Sequence, residues 1–254
     1  MEEKYLVFLN DISKDKPNEF ANVNVKECPF CNRNKLKEII NERGPFVLLK
    51  NKYPTLRDTC QLVLIETYTC RGNLSEYSDE YIKELIRFGV GHWLKIEQNR
   101  NYKSVIFYKN HGPHSGGSLK HPHMQIVGLK DIDYKDKLRD DYFEGIDVHN
   151  SQKCIVNLSH KPIGGFSEFN IIISDDLSGI DELAVNVKKI AHYILNNYFA
   201  PCDSFNIFFY HWKNKIICKI TPRFTTSPLL LGYEIKQVPN SGEMIVRKLK
   251  ELYF

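Results

Sequence analysis

A chain of 254 residues, 42% hydrophobic and 26% charged, can bury one large or two small cores and is too apolar for a disordered polymer. Its longest apolar runs (61–65, 170–173, 228–231) fall far short of a bilayer's thickness, so no membrane span is expected. Thirty-five Lys and Arg against thirty-one Asp and Glu leave +4 without a basic block, which argues against nucleic acid as the partner.

The start, Met1-Glu2-Glu3-Lys4, is acidic, and no apolar leader core follows it, so the expected location is the cytoplasm. Seven cysteines there are expected as thiols, and clustered ones read as metal ligands or catalysts. First in chain order is Cys28-Pro29-Phe30-Cys31, a tight knuckle that aims two sulfurs at one centre. A redox pair is the rival reading, but no thioredoxin-like strand and helix follow. Phe46–Lys50 reads as a strand ending in Asn51-Lys52-Tyr53-Pro54, and 61–66 as a second. Ser78 then caps a helix with Asp79 and Glu80 in its first turn and Ile82, Leu85, Ile86, Gly89, Val90 and Trp93 at helical spacing. Strand 104–108 leads into a glycine-bearing loop over 110–120. His121, His123 and Gln125 follow on one face of an alternating strand.

Residues 130–151 are charged and show no clear element, so a linker or irregular lobe is expected there. The plan then repeats. Strand 170–174 precedes a helix with Ser178 and Asp181 as capping pair and Leu183, Val187, Ile190, Ala191 and Ile194 on its apolar face. Strand 205–210, the turn Lys213-Asn214-Lys215 and strand 216–220 complete the copy, in which the histidine strand's counterpart reads Cys218-Lys219-Ile220. The order points to an internal duplication with one competent half, divided as residues 1–148 and 149–254.

His-Pro-His-x-Gln behind Gly112, Gly116, Gly117 and Ser118 has a mechanical reading. A strand holds a histidine more rigidly than a loop does, and neutral imidazole is both a nucleophile toward phosphorus and a good leaving group. Glycine lets loop amides approach phosphate oxygens. Gln125, two residues on and so on the same face, adds an amide donor for a non-bridging oxygen.

The segment Asn110-His111-Gly112 … Gly116-Gly117-Ser118-Leu119-Lys120-His121-Pro122-His123-Met124-Gln125 resembles the active-site segment of galactose-1-phosphate uridylyltransferases. These belong to the histidine-triad superfamily, with ADP-glucose phosphorylases and dinucleoside polyphosphate phosphorylases. Cys28-Pro29-Phe30-Cys31, Asn51-Lys52-Tyr53-Pro54 and Gly232-Tyr233-Glu234 look similar too, so the likeness runs from about residue 28 to 234, closest to short bacterial relatives. It implies an α+β fold of two histidine-triad-like repeats, antiparallel sheets with packed helices.

The resemblance further implies a ping-pong nucleotidyltransferase. His123 attacks the α-phosphorus of a nucleotide sugar or related nucleotide, and a phosphate-bearing acceptor then takes the nucleotidyl group. Gln125 stands where the hydrolase branch carries a third histidine, and a carboxamide is no base for water, so transfer or phosphorolysis is implied over hydrolysis. Substrate contacts are implied for Asn51, Asn110, Gly116, Gly117, Ser118, Tyr233 and Glu234. By its own chemistry Asn51 also suits opening a turn, and Tyr233 and Glu234 continuing an edge strand. A structural zinc is implied on Cys28, Cys31 and His121, with Cys70 in place of the family's mid-chain histidine, a Cys3His set.

Two other readings stand beside this one: a phosphorylase or hydrolase of dinucleoside polyphosphates or ADP-sugars, and a nucleotide-binding protein without turnover. Monomer and homodimer are both open. The family's N-terminal arginine segment, its lysine within 228–231 and its second metal site have no counterpart, which leaves the sugar unspecified.

Overall fold

Ten strands form one antiparallel sheet in the computed structural model, which describes residues 4–23 and 27–254. Met1-Glu2-Glu3 and part of the polar stretch before Cys28 lie outside the described residues. The strands are β1 (Ile39–Arg43), β2 (Phe46–Lys50), β3 (Thr59–Ile65), β4 (Ser104–His111), β5 (His123–Leu129), β6 (Gly145–Asn150), β7 (Ile155–Ser159), β8 (Phe169–Ser174), β9 (Phe205–Trp212) and β10 (Lys215–Pro222). Their order is β1-β2-β3-β5-β4-β9-β10-β8-β7-β6. Read inward from either edge, each half has its first three strands, then its fifth, then its fourth. The expected α+β architecture is present, and its two sheets are joined edge to edge at a β4–β9 seam.

The helices are α1 (Asn10–Lys14), α2 (Asp79–Gln98), α3 (Ile180–Asn196), α4 (Pro228–Tyr233) and α5 (Gly242–Tyr253). Ser78 caps α2 as expected, its hydroxyl accepting from the Tyr81 amide. Ile82, Leu85, Ile86, Val90 and Trp93 are fully buried against the sheet. Gly89 lets the helix come close, because a Cβ there would meet the Phe107 ring at 2.6 Å. Leu183, Ala184, Val187, Ile190 and Ala191 of α3 cover the second half of the same sheet face. The two helices pack together, tied by the Arg87–Asp181 and Lys188–Asp79 ion pairs.

Several sequence expectations are corrected here. Region 130–151 is no linker: it holds two 3-10 turns and β6. The edge strands β1 and β6 and the inner strand β7 add to the expected set. The helix α3 begins after Gly179 with no side-chain cap; Ser178 instead donates its amide to Asp176 in a turn. His121 lies ahead of β5, which starts at His123. Tyr233 and Glu234 end a short helix, not an edge strand, with Glu234 at φ +54°.

The sheet's other face carries two apolar caps. Phe30 and Leu36 pack on Val47, Leu49, Val63 and Ile65 of the first half; Phe143, Tyr142 and Leu138 pack on Ile172 and Ile217 of the second. Between them the seam presents polar groups. One cross-strand row there runs Val63, Gln125, Tyr108, Phe208, Lys219, Asn170.

Candidate active site and metal centre

The β4–β5 and β9–β10 connections occupy matching places in the two halves, yet they differ completely. Lys213 and Asn214, both at positive φ, close β9 onto β10 in a two-residue hairpin turn. The first half inserts a loop over 112–122 instead. Gly112 sits at φ +83°, and a Cβ there would lie 2.2 Å from the Asp203 carbonyl. Gly116 is at φ +82° with open space around it. The Ser115 hydroxyl donates to the Gly112 carbonyl at 2.7 Å and accepts from the Gly117 amide. The amides of Gly116, Ser118 and Leu119 have no hydrogen-bond partner among the described residues. They are donors available to an anion.

Three supports of this loop come from the far side of the seam. The Asn206 carboxamide donates to Asn110 Oδ1 at 2.7 Å and to the Ser115 carbonyl at 2.9 Å, and Ser204 Oγ accepts from the His114 amide. Asp203 supplies the wall against Gly112. On the near side, the Glu19 amide donates to the Ser118 carbonyl, and the Glu19 carboxylate accepts from the Lys120 amide at 2.5 Å.

His123 is 8% exposed. Its Nδ1 lies 2.8 Å from the His121 carbonyl, a contact only an N–H can make favourable, so Nε2 keeps the lone pair. Burial pushes its pKa down to about 4, and the nearby charges of Lys109 and Lys16 act in the same direction; the imidazole is neutral and nucleophilic at physiological pH. Gln125 shares the face of His123, and its carboxamide is unpaired among the described residues. Tyr108, its neighbour on β4, has its hydroxyl pushed up to about 12 by burial. Lys109 faces the helix side, where its ammonium reaches Glu66 at 2.5 Å and the His123 carbonyl at 3.5 Å, while Tyr77 donates to the same carboxylate. This fully buried pair fixes β4 behind the histidine. Sequence reasoning missed it and Asn206, although Lys109 has the inward parity of Val105 and Phe107.

Cys28, Cys31, Cys70 and His121 offer one ligand atom each, all within 4.8 Å of one another. Both Cys28 Sγ and Cys31 Sγ lie 3.6 Å from His121 Nδ1. Tetrahedral zinc with ordinary Zn–S and Zn–N bonds places such ligands about 3.6 Å apart, so the donor set fits. His121 Nε2 donates to the Thr67 carbonyl at 2.9 Å, which aims Nδ1 at the sulfurs. Burial raises the Cys28 pKa, and burial with the neighbouring thiols pushes Cys70 up to about 12, because three thiolates cannot share a site without a cation.

The remaining expected contacts are scattered. Asn51 follows β2, its Oδ1 accepting from the Tyr53 amide in a turn, and its amide pairs with Gln61 opposite Val127. That places it just past the end of β2, two strands from β5 and well along the sheet from His123. Tyr233 and Glu234 lie at the end of exposed α4 and make no hydrogen bond to the histidine segment. A cleft of about 370 Å³ opens beside the loop, with Arg71, Asn110, His111, Lys120 and His121 in its lining.

The family described as "Domain of unknown function (DUF4931) N-terminal domain" matches residues 8–132, and its C-terminal counterpart matches 135–254. A DUF4931 family protein from Bacillus cereus ATCC 10987 is 47% identical, with a TM-score of 0.77 over 84% of this chain and 98% of that one. An ADP-glucose phosphorylase from Arabidopsis thaliana, solved with ADP-glucose, shares the fold at 14% identity and TM-score 0.73, covering 94% and 93%. A uridylyltransferase does so at 17% identity and TM-score 0.70, covering 89% and 90%. No curated protein matches the chain. The expected resemblance to the uridylyltransferase-like members of the histidine-triad superfamily is thus borne out at the level of fold.

Proposed function

The chain belongs to the DUF4931 family, and we propose that it is a nucleotidyltransferase working through a covalent nucleotidyl-histidine on His123. The observation that carries this reading is the single free lone pair of His123, held by the His121 carbonyl at the end of a loop that has three unpaired amides. His123 Nε2 attacks the α-phosphorus of a nucleotide sugar. A bond forms between nitrogen and phosphorus while the bond to the departing phosphate oxygen breaks, and that oxygen keeps the electron pair. A phosphate oxygen of the acceptor then attacks phosphorus, and the electron pair returns to Nε2. Gly116, Gly117 and Ser118 contact substrate from the loop and Asn110 from the end of β4: the loop amides and the Gln125 carboxamide donate to the non-bridging oxygens as charge develops. Asn51 contacts the nucleoside, and Tyr233 with Glu234 the leaving-group side.

Gln125 offers no base for water, which supports phosphate over water as acceptor. The bound ADP-glucose in the phosphorylase of the same fold supports a nucleotide sugar as donor. Cys28, Cys31, Cys70 and His121 would hold a zinc that, when bound, supplies a cross-link between the knuckle and the histidine segment. No helix among the described residues is long and apolar enough to cross a membrane. A cytoplasmic setting is part of this reading, as is descent of the two halves from one duplicated unit.

The test is labelling. The chain is incubated with UDP- and ADP-sugars labelled at the α-phosphate. An acid-labile label on the protein, absent in His123→Ala, is the expected result. No label from any nucleotide, or undiminished label in His123→Ala, overturns the proposal.

A further inference from the structure

Beside the cysteine cluster lies a half-buried arginine with no carboxylate partner among the described residues. Arg33 Nη2 donates to the carbonyls of Pro45 at 3.0 Å and Thr67 at 2.6 Å, and the guanidinium stands 5.0 Å over the Tyr68 ring. Its Nε and Nη1 are shut off from solvent and have no hydrogen-bond partner among the described residues. Among the described residues no carboxylate comes within ion-pair distance; Glu42, the acidic side chain whose field it feels, is exposed. Guanidinium donors cut off from both water and an acceptor are unfavourable unless something offsets them.

Two links lead from Arg33 to the metal ligands. It follows Cys31 by two residues, and the Thr67 carbonyl that accepts its Nη2 also accepts His121 Nε2, so one oxygen joins the guanidinium to a ligand's tautomer. Charge counting supplies the missing anion. Three thiolates and a neutral imidazole around a divalent cation carry one net negative charge. A set of two cysteines and two histidines would be neutral and leave Arg33 unmatched.

We propose that Arg33 is the counter-charge and positioning residue of the Cys28–Cys31–Cys70–His121 centre, its guanidinium offsetting the net negative charge of the metal-bound trithiolate. This rests on the reading of that cluster as a metal centre. The role also gives the unpaired Nε and Nη1 a physical reason: the charge they carry is offset by a diffuse anion, not by a single acceptor atom.

The test measures metal affinity on the full chain, independently of turnover. Zinc is competed against a chromophoric chelator, and cobalt is used as a spectroscopic stand-in whose d–d bands report tetrahedral geometry. R33Q is expected to raise the zinc Kd about 10- to 100-fold, as loss of an outer-shell partner does. R33K, which keeps the charge and loses the fork, is expected to stay within about threefold of wild type. In a C70H background, where the centre is neutral, R33Q is expected to cost markedly less.

An R33Q Kd within about twofold of wild type overturns the counter-charge. Should R33Q fail to fold, R33K carries the test, and a loss of about tenfold or more there overturns it in the same way. A wild-type chain that takes up neither zinc nor cobalt overturns the metal reading itself, which separates the two failures.

Discussion

Replacing Asn206 by alanine tests whether the second half holds the chemistry of the first in place. Asn206 is 4% exposed and spends both amide hydrogens on the first half, one on Asn110 Oδ1 at the end of β4 and one on the Ser115 carbonyl in the loop. Each such bond contributes about 1 kcal/mol net, and a stranded buried acceptor raises the loss toward about 3 kcal/mol. Two bonds therefore predict a stability loss of about 2–4 kcal/mol, read as a lower urea midpoint. The kinetic effect follows from geometry. Without Asn206, Asn110 and the free amides of Gly116, Ser118 and Leu119 drift from the phosphorus centre. A lost donor at developing negative charge costs about 10²- to 10³-fold in rate. The assay is single-turnover formation of the acid-labile label on His123. A rate about 10²-fold below wild type is expected in the folded variant. If N206A labels within about threefold of wild type while losing the predicted stability, the seam packs the loop without positioning it, and the reasoning fails.

Glycine substitutions separate crowding from backbone strain. Both Gly112 and Gly116 sit at positive φ, costing any L-residue about 1–2 kcal/mol, but only Gly112 abuts Asp203 and Ser204. Gly112→Ala is expected to lower the thermal midpoint well below that of Gly116→Ala; equal losses would refute the crowding. The hydrogen bond to Glu97 holds His211 above its ordinary value of 6.5, with burial opposing it. A group raised on folding contributes fully below its unfolded value and loses that contribution as pH rises past the folded one. His211→Gln is thus expected to lower the urea midpoint more at about pH 6 than at about pH 9, and a pH-independent loss would contradict the assignment. Elemental analysis should find about one zinc per chain, lost in Cys70→Ser and retained in Cys218→Ser, whose thiol is fully buried and outside the four-residue cluster. Retention in both variants would remove Cys70 from the ligand set.

What could be read from the sequence was whatever repeats locally. Ser78 and the Ile82–Trp93 spacing announce α2, and the resemblance implied the set of Cys28, Cys31, Cys70 and His121, which the fold brings together. The edge strand β1 was hidden because it lacks a buried face: every one of its residues is exposed. In β7 a buried Asn157 interrupts the apolar run, and its reason, a bond from Asn170, lies on another strand. Lys109 with Glu66, and Lys219 with Glu168, look like surface charges until tertiary contact makes them buried pairs. Asn206 was silent for the same reason. Its partners are more than ninety residues away, and no periodicity encodes such a contact.

The β4–β9 seam also sets how the chain can be divided. Every histidine, glycine and cysteine assigned a chemical task lies before residue 135, within the first matched segment. Yet a fragment ending there would bare β4, an inner strand whose Phe107–His111 stretch pairs with β9. Its backbone donors and acceptors would become a sticky edge, prone to pairing with a second copy of itself. The second half therefore covers this inner edge and moves the end of the sheet out to β6, a short strand only partly buried.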